Sequence, residues 1–213
     1  MSTSTGGPRG RYIVLEGGEG VGKTTQVRRI VTRLLDLGVD ATSIREPGGD
    51  AFAEAGRALL LGDLPREPET EVLMFNALRA QVLRTRVLPA LARGTWVIAD
   101  RSRLSTIAYQ GHGHGLDLAW TRAVCDTVTT VCPPDVELIL HVDEATSNRR
   151  RRDRGTTDRF ELLDVEFHRR VVAGYLQEAA EFGIPVLDAS ADEEKVELAI
   201  WQAIEPLLAD RAV

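Results

Sequence analysis

Near its N-terminus the chain carries a glycine-rich octapeptide, Gly17-Gly18-Glu19-Gly20-Val21-Gly22-Lys23-Thr24. The apolar run 12–15 before it has the composition of a buried strand, and residues 25–37 after it repeat apolar side chains at helical spacing. The octapeptide fits the spacing G-x-x-x-x-G-K-[ST] of a phosphate-binding P-loop, and a strand and a helix are the flanks that this motif requires. The sequence therefore predicts a nucleoside-triphosphate site.

The chemistry of this loop follows from its residue types. Its glycines let backbone N–H groups surround phosphate oxygens, and the helix N-terminus adds partial positive charge. Lys23 is expected to reach the β- and γ-phosphates, the Thr24 hydroxyl to hold Mg²⁺, and the whole segment 17–25 to bind ATP. A dinucleotide fingerprint needs G-x-G-x-x-G, and no register of these glycines supplies it, which excludes a dehydrogenase.

Size and composition favour one α/β domain over residues 11–213, with the Ser/Thr/Gly-rich residues 1–10 as a flexible tail and not a signal peptide. The net charge of −6 argues against a nucleic-acid partner. No apolar run approaches the ~20 residues of a membrane span. Cys125 and Cys132 match no zinc or redox spacing, which is typical of reduced thiols in a cytoplasmic protein.

Short apolar runs alternate with helical patterns along the chain, which predicts a parallel sheet with helices on both faces. The expected fold is a three-layer α/β/α sandwich of the P-loop type. Its five strands are predicted at 12–15, 41–44, 96–99, 136–142 and 185–187.

Polar residues follow several of these strands, and ligands of such sheets bind outside the carboxyl ends of the strands. Glu16, Arg45 and Asp100 are therefore expected at the mouth of the P-loop. Asp100 can join the shell of a Mg²⁺ ion, and the adjacent Arg101 can clamp a phosphate in bidentate fashion. Asp143, after another strand, is expected to cap the next helix.

An arginine-rich segment, about residues 149–162, interrupts two predicted helices and contains Gly155 as a hinge. A run of charges is usually a solvated face. Here the hinge and the helix break favour a lid that brings an arginine to the transferring phosphate. His112 and His114, spaced by glycines with no partner in register, are expected to be solvated loop residues and not metal ligands.

Taken together, these residues resemble the bacterial thymidylate kinases over nearly the whole chain from Ile13 to the last helix. The motifs that carry the resemblance are Glu16-Gly17-x-Glu19-Gly20 with Gly22-Lys23-Thr24-Thr25-Gln26, Arg45-Glu46-Pro47-Gly48-Gly49, Leu73-Met74-Phe75 with Arg79, Asp100-Arg101 with Ser105 and Ala108-Tyr109-Gln110-Gly111, and Asp158-Arg159-x-Glu161.

The resemblance implies an enzyme that transfers the γ-phosphate of ATP to dTMP with Mg²⁺, and it implies a homodimer. It places Lys23 and Arg101 in catalysis, with Thr24 and Asp100 at the metal. Because the loop has Gly20 where one subgroup has an arginine, the catalytic arginine is expected from the lid, as Arg154.

The same resemblance implies a dTMP site in which each residue type has a plausible chemical task. An aromatic ring stacks on a base, and a bidentate arginine reads a base edge or holds a phosphate. The implied residues are Glu19 near the sugar 3′-hydroxyl, Phe75 on thymine, Arg79 on the base, Arg45 and Arg101 on the phosphate, Tyr109 against a 2′-hydroxyl, and Ser105, Thr106 and Gln110.

Three residues depart from the family pattern: Asp50, Asn76 and Ser102. The last of these puts Asp-Arg-Ser beside Glu46-Pro47, a combination also found in deoxynucleoside kinases, which use the glutamate as a base on a sugar hydroxyl. A deoxynucleoside kinase is therefore the alternative. A switch GTPase is disfavoured because neither Lys23 nor Lys195 lies in an Asn-Lys-x-Asp motif.

Overall fold

The structure is a computed structural model that describes residues 9–154, 159–160 and 163–209. Most of the predicted tail and residues 155–158 and 161–162 of the predicted lid lie outside these ranges, as do the side chains of Arg151, Asp153 and Arg154. The division into residues 1–10 and 11–213 stays a prediction. In the described part, no helix combines the length and the apolar character needed to cross a membrane.

The strands of the described residues are β1 Tyr12–Glu16, β2 Ala41–Arg45, β3 Trp96–Asp100, β4 Val136–His141 and β5 Val186–Asp188. They form one parallel sheet at the centre of the fold, in the order β2-β3-β1-β4-β5. Leu15 of β1 lies opposite Asp100 of β3 on one side and opposite Leu138 of β4 on the other. All carboxyl ends therefore meet at one edge, where Glu16 and Arg45 also lie.

Helices cover both faces of the sheet. Alternate residues of β1 point to opposite faces, and every residue of that strand is buried. The helices of the described residues are α1 Lys23–Asp36, α2 Ala51–Leu61, α3 Pro68–Val82, α4 Leu88–Ala92, α5 Arg103–Thr106, α6 Leu118–Thr129, α7 Glu144–Arg154, α8 Val165–Phe182, α9 Glu193–Ile204 and α10 Pro206–Ala209. Ile13 and Leu15 pack with α1 and α9, whereas Tyr12 and Val14 pack with α2, α3 and α4. The predicted three-layer α/β/α fold of the P-loop type is confirmed.

Prolines shape two of the helical stretches. Helix α3 is followed by a π-helical segment, Leu83–Val87, and by α4, in which Pro89 lies in the first turn. The last helical stretch is divided into α9 and α10 at Pro206. Proline has no N–H to give and its ring crowds the carbonyl four residues earlier, so the regular hydrogen-bond ladder cannot continue through it.

The loop predicted at 111–115 is wrong in its first half, because a second π-helical segment, Ile107–Gly113, continues through it. Its glycines serve close packing and not loop flexibility. A Cβ on Gly113 would come within 2.7 Å of the Phe167 ring, and a Cβ on Gly111 within 2.8 Å of Leu118.

The prediction that His112 and His114 are solvated is wrong for the same reason. The His112 ring nitrogen Nε2 lies 3.1 Å from the carboxylate of Glu178. The centroid of the His114 ring lies 4.8 Å from that of Phe167. Both rings are therefore packed between the second π-helical segment and α8.

We expect Gly174→Ala to destabilise the protein, although alanine is the better helix former by about 1 kcal/mol. A Cβ on Gly174 would lie 2.6–2.7 Å from Cβ and Cγ of His112, atoms near the root of that side chain that cannot swing away. The expected net loss is about 1–2 kcal/mol in the free energy of unfolding, measured by urea denaturation.

Gln177→Ala is the matched control, because Gln177 is an exposed residue of the same helix. Its free energy of unfolding should stay close to that of the parent protein. A stabilised Gly174→Ala variant would contradict the close approach of α8 to the second π-helical segment.

Candidate active site

The glycine-rich loop leaves β1 and enters α1 through backbone conformations that favour glycine. Gly17, Gly20 and Gly22 have φ angles of 136°, 73° and 95°. A Cβ on Gly17 would lie 2.2 Å from the Leu140 carbonyl oxygen, so the loop fits against β4 only with glycine there. Helix α1 begins at Lys23, directly after Gly22, which points its free N–H groups at the loop.

The Lys23 ammonium lies against the loop itself. It donates to the carbonyl oxygen of Gly18 at 2.7 Å and to that of Gly17 at 3.1 Å. The residue is only 6% exposed. Burial, together with the nearby Arg101 charge, lowers the pKa of Lys23 to about 8. Burial therefore makes the charged form of Lys23 less stable than it is in water, and an anionic ligand beside the ammonium would offset that loss.

Two side-chain oxygens that can bind a hard cation lie close together where α1 faces the end of β3. The Thr24 hydroxyl donates to the Asp100 carboxylate at 2.6 Å. Hydroxyl and carboxylate oxygens beside a phosphate loop are the ligand types that Mg²⁺ takes in nucleotide sites. The donor set that the structure provides therefore fits this ion.

Arg101 follows Asp100 with a φ of 74°, a left-handed conformation that is uncommon for a residue other than glycine. Its guanidinium donates to the Gly17 carbonyl at 2.8 Å, to Ser105 Oγ at 3.1 Å and to the Tyr175 hydroxyl at 3.2 Å. It also pairs with the Glu19 carboxylate. The cation is thus fixed in place beside the P-loop.

Arg79 is the most buried of the predicted site arginines, with a side chain 2% exposed. Its Nε donates to the Glu46 carboxylate at 2.6 Å. Its terminal nitrogens donate to Asn76 Oδ1 at 2.7 Å, the Ser102 carbonyl at 3.0 Å and Thr106 Oγ1 at 3.1 Å. These contacts use four of the five N–H groups of a guanidinium, which leaves one on Nη1 without a hydrogen bond among the described contacts.

A cleft of about 960 Å³ joins these groups. Most residues predicted for the site line this cleft. Three residues of the P-loop do not: Gly17, Gly18 and Val21 line a separate cavity, and the Val21 side chain packs in the core. The predicted residues that line the cleft are Glu19, Gly20, Gly22, Lys23, Thr24, Thr25, Arg45, Phe75, Arg79, Asp100, Arg101, Ser105, Thr106, Tyr109 and Gln110.

One wall of the cleft is aromatic. The ring centroid of Phe160 lies 6.1 Å from that of Phe75 and 5.9 Å from that of Tyr109. Sequence reasoning did not find Phe160. Its neighbour Arg159 donates to the Glu71 carboxylate at 2.8 Å, which ties this part of the predicted lid to α3.

Glu71 is a second residue that sequence reasoning missed. It is 1% exposed and also accepts from Gln110 at 3.0 Å and from Arg66 at 3.2 Å. It therefore holds a predicted site residue in position. Its place in the helical pattern of α3 was the only available signal, and that pattern does not separate a buried carboxylate from a solvated one.

Comparison with known proteins gives the family. A family model described as thymidylate kinase matches residues 15–200. The chain belongs to the thymidylate kinase family. It is also 41% identical to a protein of Deinococcus radiodurans named thymidylate kinase, over 199 residues that cover 92% of this chain and 97% of that protein.

The three departures from the thymidylate kinase pattern have structural partners. Asp50 caps α2 through the Ala53 N–H at 2.8 Å and also accepts from Gln81 and Thr85. Asn76 accepts from Arg79 through its side-chain Oδ1, whereas Ser102 accepts through its backbone carbonyl, which any residue at that position would provide. The Ser102 hydroxyl instead lies 3.5 Å from the Glu46 carboxylate. The side chains of Asp50 and Asn76 therefore hold α2 and the Arg79 guanidinium in place.

The arginine-rich segment is described only in part. Helix α7 continues to Arg154, whose side chain lies outside the described part, so its predicted catalytic position is not tested. Arg150 donates to the Ala189 carbonyl at 3.0 Å. The first turn of α7 is capped by Asp143, whose carboxylate accepts from the Thr146 N–H, as predicted.

We expect Glu46→Ala to be strongly destabilising, because it leaves the buried Arg79 guanidinium without its carboxylate. Removing one member of a buried ion pair costs about 3–5 kcal/mol. Urea denaturation monitored by tryptophan fluorescence measures the loss.

The control is Glu144→Ala, which breaks an ion pair with Arg169 whose two side chains are 51% and 59% exposed. The free energy of unfolding should hardly change there, because solvent screens such pairs. Equal effects of the two substitutions would show that burial of the Arg79–Glu46 pair is unimportant for stability.

Proposed function

We propose that this protein transfers the γ-phosphate of ATP to dTMP, giving dTDP and ADP. The observation that carries the proposal is the cleft, which joins a complete P-loop to guanidinium groups and an aromatic wall. Membership of the thymidylate kinase family supports it, as does the name of the Deinococcus radiodurans relative.

The donor half of the cleft is the P-loop, residues 17–25. Its backbone N–H groups bind the phosphates, and Lys23 provides a cation for the phosphate in transfer. Thr24 and Asp100 would hold Mg²⁺, which would supply positive charge to neutralise the charge on the phosphates.

The acceptor phosphate is assigned to Arg101 and Arg45. Arg101 is held by the P-loop and by Glu19, and Arg45 lies at the mouth of the cleft, where it pairs with Glu54 at 3.0 Å and is 57% exposed. Two cations can both bind a phosphate dianion, whereas a neutral acceptor has no charge for them to bind.

The acceptor nucleoside is assigned to the rest of the cleft. Phe75 stacks on thymine, and Arg79 uses its remaining N–H toward the base. Glu19 and Tyr109 take the sugar side, where the Tyr109 hydroxyl donates to Glu19 at 2.9 Å. Ser105, Thr106 and Gln110 complete the lining.

A phosphate oxygen is already a nucleophile, so this reaction needs no general base. The protein supplies orientation and preorganised charge. The deoxynucleoside kinase alternative needs Glu46 as a free base. Here the Glu46 carboxylate is buried and bound to Arg79 at 2.6 Å, which supports the monophosphate kinase.

Three further assignments complete the proposal. Arg154 acts as the arginine that the lid, residues 149–162, brings to the transferring phosphate. The protein works in the cytoplasm. It forms a homodimer. Three large apolar side chains on the neighbouring helices α2 and α3 support this assignment, because they are exposed: Phe52, Leu59 and Leu73, with exposed fractions of 62%, 45% and 54%.

Release of ADP with dTMP and with thymidine at equal concentration tests the acceptor. We expect turnover of dTMP and negligible turnover of thymidine. Arg45→Ala should lower kcat/KM for dTMP roughly 10- to 150-fold, the effect of one charge-assisted contact. Arg169→Ala, which removes an arginine exposed on α8, is the control and should leave the reaction unchanged. Faster turnover of thymidine than of dTMP, insensitive to Arg45→Ala, would establish the nucleoside kinase instead.

The pH dependence of kcat/KM for ATP tests the role of Lys23. This parameter reports groups of the free enzyme. Because Lys23 is a cation below its pKa of about 8, the parameter should be level below pH 8 and fall above it. Arginine stays charged at higher pH than lysine. The Lys23→Arg variant should react more slowly, but its kcat/KM for ATP should not fall above pH 8. A decline that is identical in both proteins would assign it to another group.

A further inference from the structure

Glu16 is a carboxylate at the end of β1 that none of the assigned roles uses, and it is 0% exposed. Its Oε1 accepts from the backbone N–H groups of Ser102 at 2.8 Å and of Ser105 at 3.2 Å. Its Oε2 accepts from Ser105 Oγ at 2.6 Å and from the Tyr175 hydroxyl at 3.3 Å. One side chain thus connects β1 with the turn after β3 and with α8.

These contacts surround Arg101. The backbone N–H of Arg101 donates to the Leu15 carbonyl at 2.9 Å, and the next N–H, of Ser102, donates to Glu16. Two successive residues of β1 therefore hold the turn in which Arg101 takes its left-handed φ of 74°. That backbone conformation persists only where surrounding contacts fix it.

Glu16 also determines which way two hydroxyl groups point. A carboxylate only accepts hydrogen bonds, so Ser105 must donate its proton to Glu16. Tyr175 donates either to Glu16 or to Ser105 Oγ, 2.7 Å away. In both arrangements the lone pairs of the two hydroxyls face the Arg101 guanidinium, which donates to them at 3.1 and 3.2 Å.

We propose that Glu16 is a positioning residue for Arg101: it anchors the turn that carries Arg101 and orients the hydroxyls of Ser105 and Tyr175 as acceptors for its guanidinium. The proposal rests on the proposed function, in which Arg101 binds the acceptor phosphate. Glu16 itself does not contact substrate.

Glu16→Gln tests the orientation with almost no change in shape. The amide nitrogen of glutamine donates hydrogen bonds, so it turns the Ser105 or Tyr175 hydroxyl proton toward Arg101. We expect kcat/KM for dTMP to fall about tenfold, the scale of one hydrogen bond to a charged group. The KM for ATP should stay within about twofold, because the Lys23 and Thr24 contacts do not involve Glu16.

The decisive measurement is a double-mutant cycle with Arg101→Ala. If Glu16 acts through Arg101, Glu16→Gln should lower kcat/KM for dTMP by less than about twofold once Arg101 is absent. A general loss of structure would lower it by the same factor in both backgrounds, and that result would overturn the proposal.

Glu178→Gln is the matched control. Glu178 is also 0% exposed and lies one turn after Tyr175 on α8, but it binds His112 and Arg122, outside the cleft. We expect it to lower the melting temperature and leave kcat/KM for dTMP unchanged. A loss of kcat/KM equal to that of Glu16→Gln would mean that any buried carboxylate has this effect, against the proposal.

Tyr175→Phe provides a second variant, which decides the cycle if Glu16→Gln does not fold. It removes one acceptor of Arg101, and its smaller loss should likewise vanish in the Arg101→Ala background. An Arg101→Ala enzyme with unchanged kinetics would refute the proposed role of Arg101 and this inference with it. A slow Arg101→Ala enzyme beside fully active Glu16 and Tyr175 variants would refute the inference alone.

Discussion

The parallel pairing of β1 with β3 is the contact on which the rest of the site depends. Its register sets Leu15 opposite Asp100, so the P-loop leaves one strand where Asp100 and Arg101 end the other. The Thr24–Asp100 hydrogen bond and the bond from Arg101 to the Leu15 carbonyl are then short-range consequences of that register. A shift of one residue would turn Asp100 to the other face of the sheet and break its hydrogen bond with Thr24.

An acidic protein that handles phosphates must concentrate its positive charge locally, and here four arginines in or beside the cleft have carboxylate partners. The partner lowers the cost of desolvating the guanidinium and fixes its orientation before a nucleotide binds. The geometry for an anion is therefore present in the protein alone, and little reorganisation remains for the reaction. The pairs are Arg101 with Glu19, Arg79 with Glu46, Arg159 with Glu71 and Arg45 with Glu54.

The sequence predicted what depends on local pattern. The positions of the five strands follow from short apolar runs, and the strand-end residues Glu16, Arg45 and Asp100 follow from the topology of parallel sheets. Contacts between distant segments leave no such pattern. The Phe160 ring against Phe75 and the partners of Glu71 come from folding the chain back on itself. Gly111 and Gly113 are ambiguous in the sequence, because tight packing and flexible loops both select glycine.

The Gly17 carbonyl contacts a cation from each half of the cleft. Its oxygen accepts from Lys23 at 3.1 Å and from Arg101 at 2.8 Å, so both of its lone pairs are engaged. In the proposed function, Lys23 belongs to the donor side and Arg101 to the acceptor side. A single backbone oxygen thereby joins the two halves of the cleft directly, because the same carbonyl helps to orient both cations.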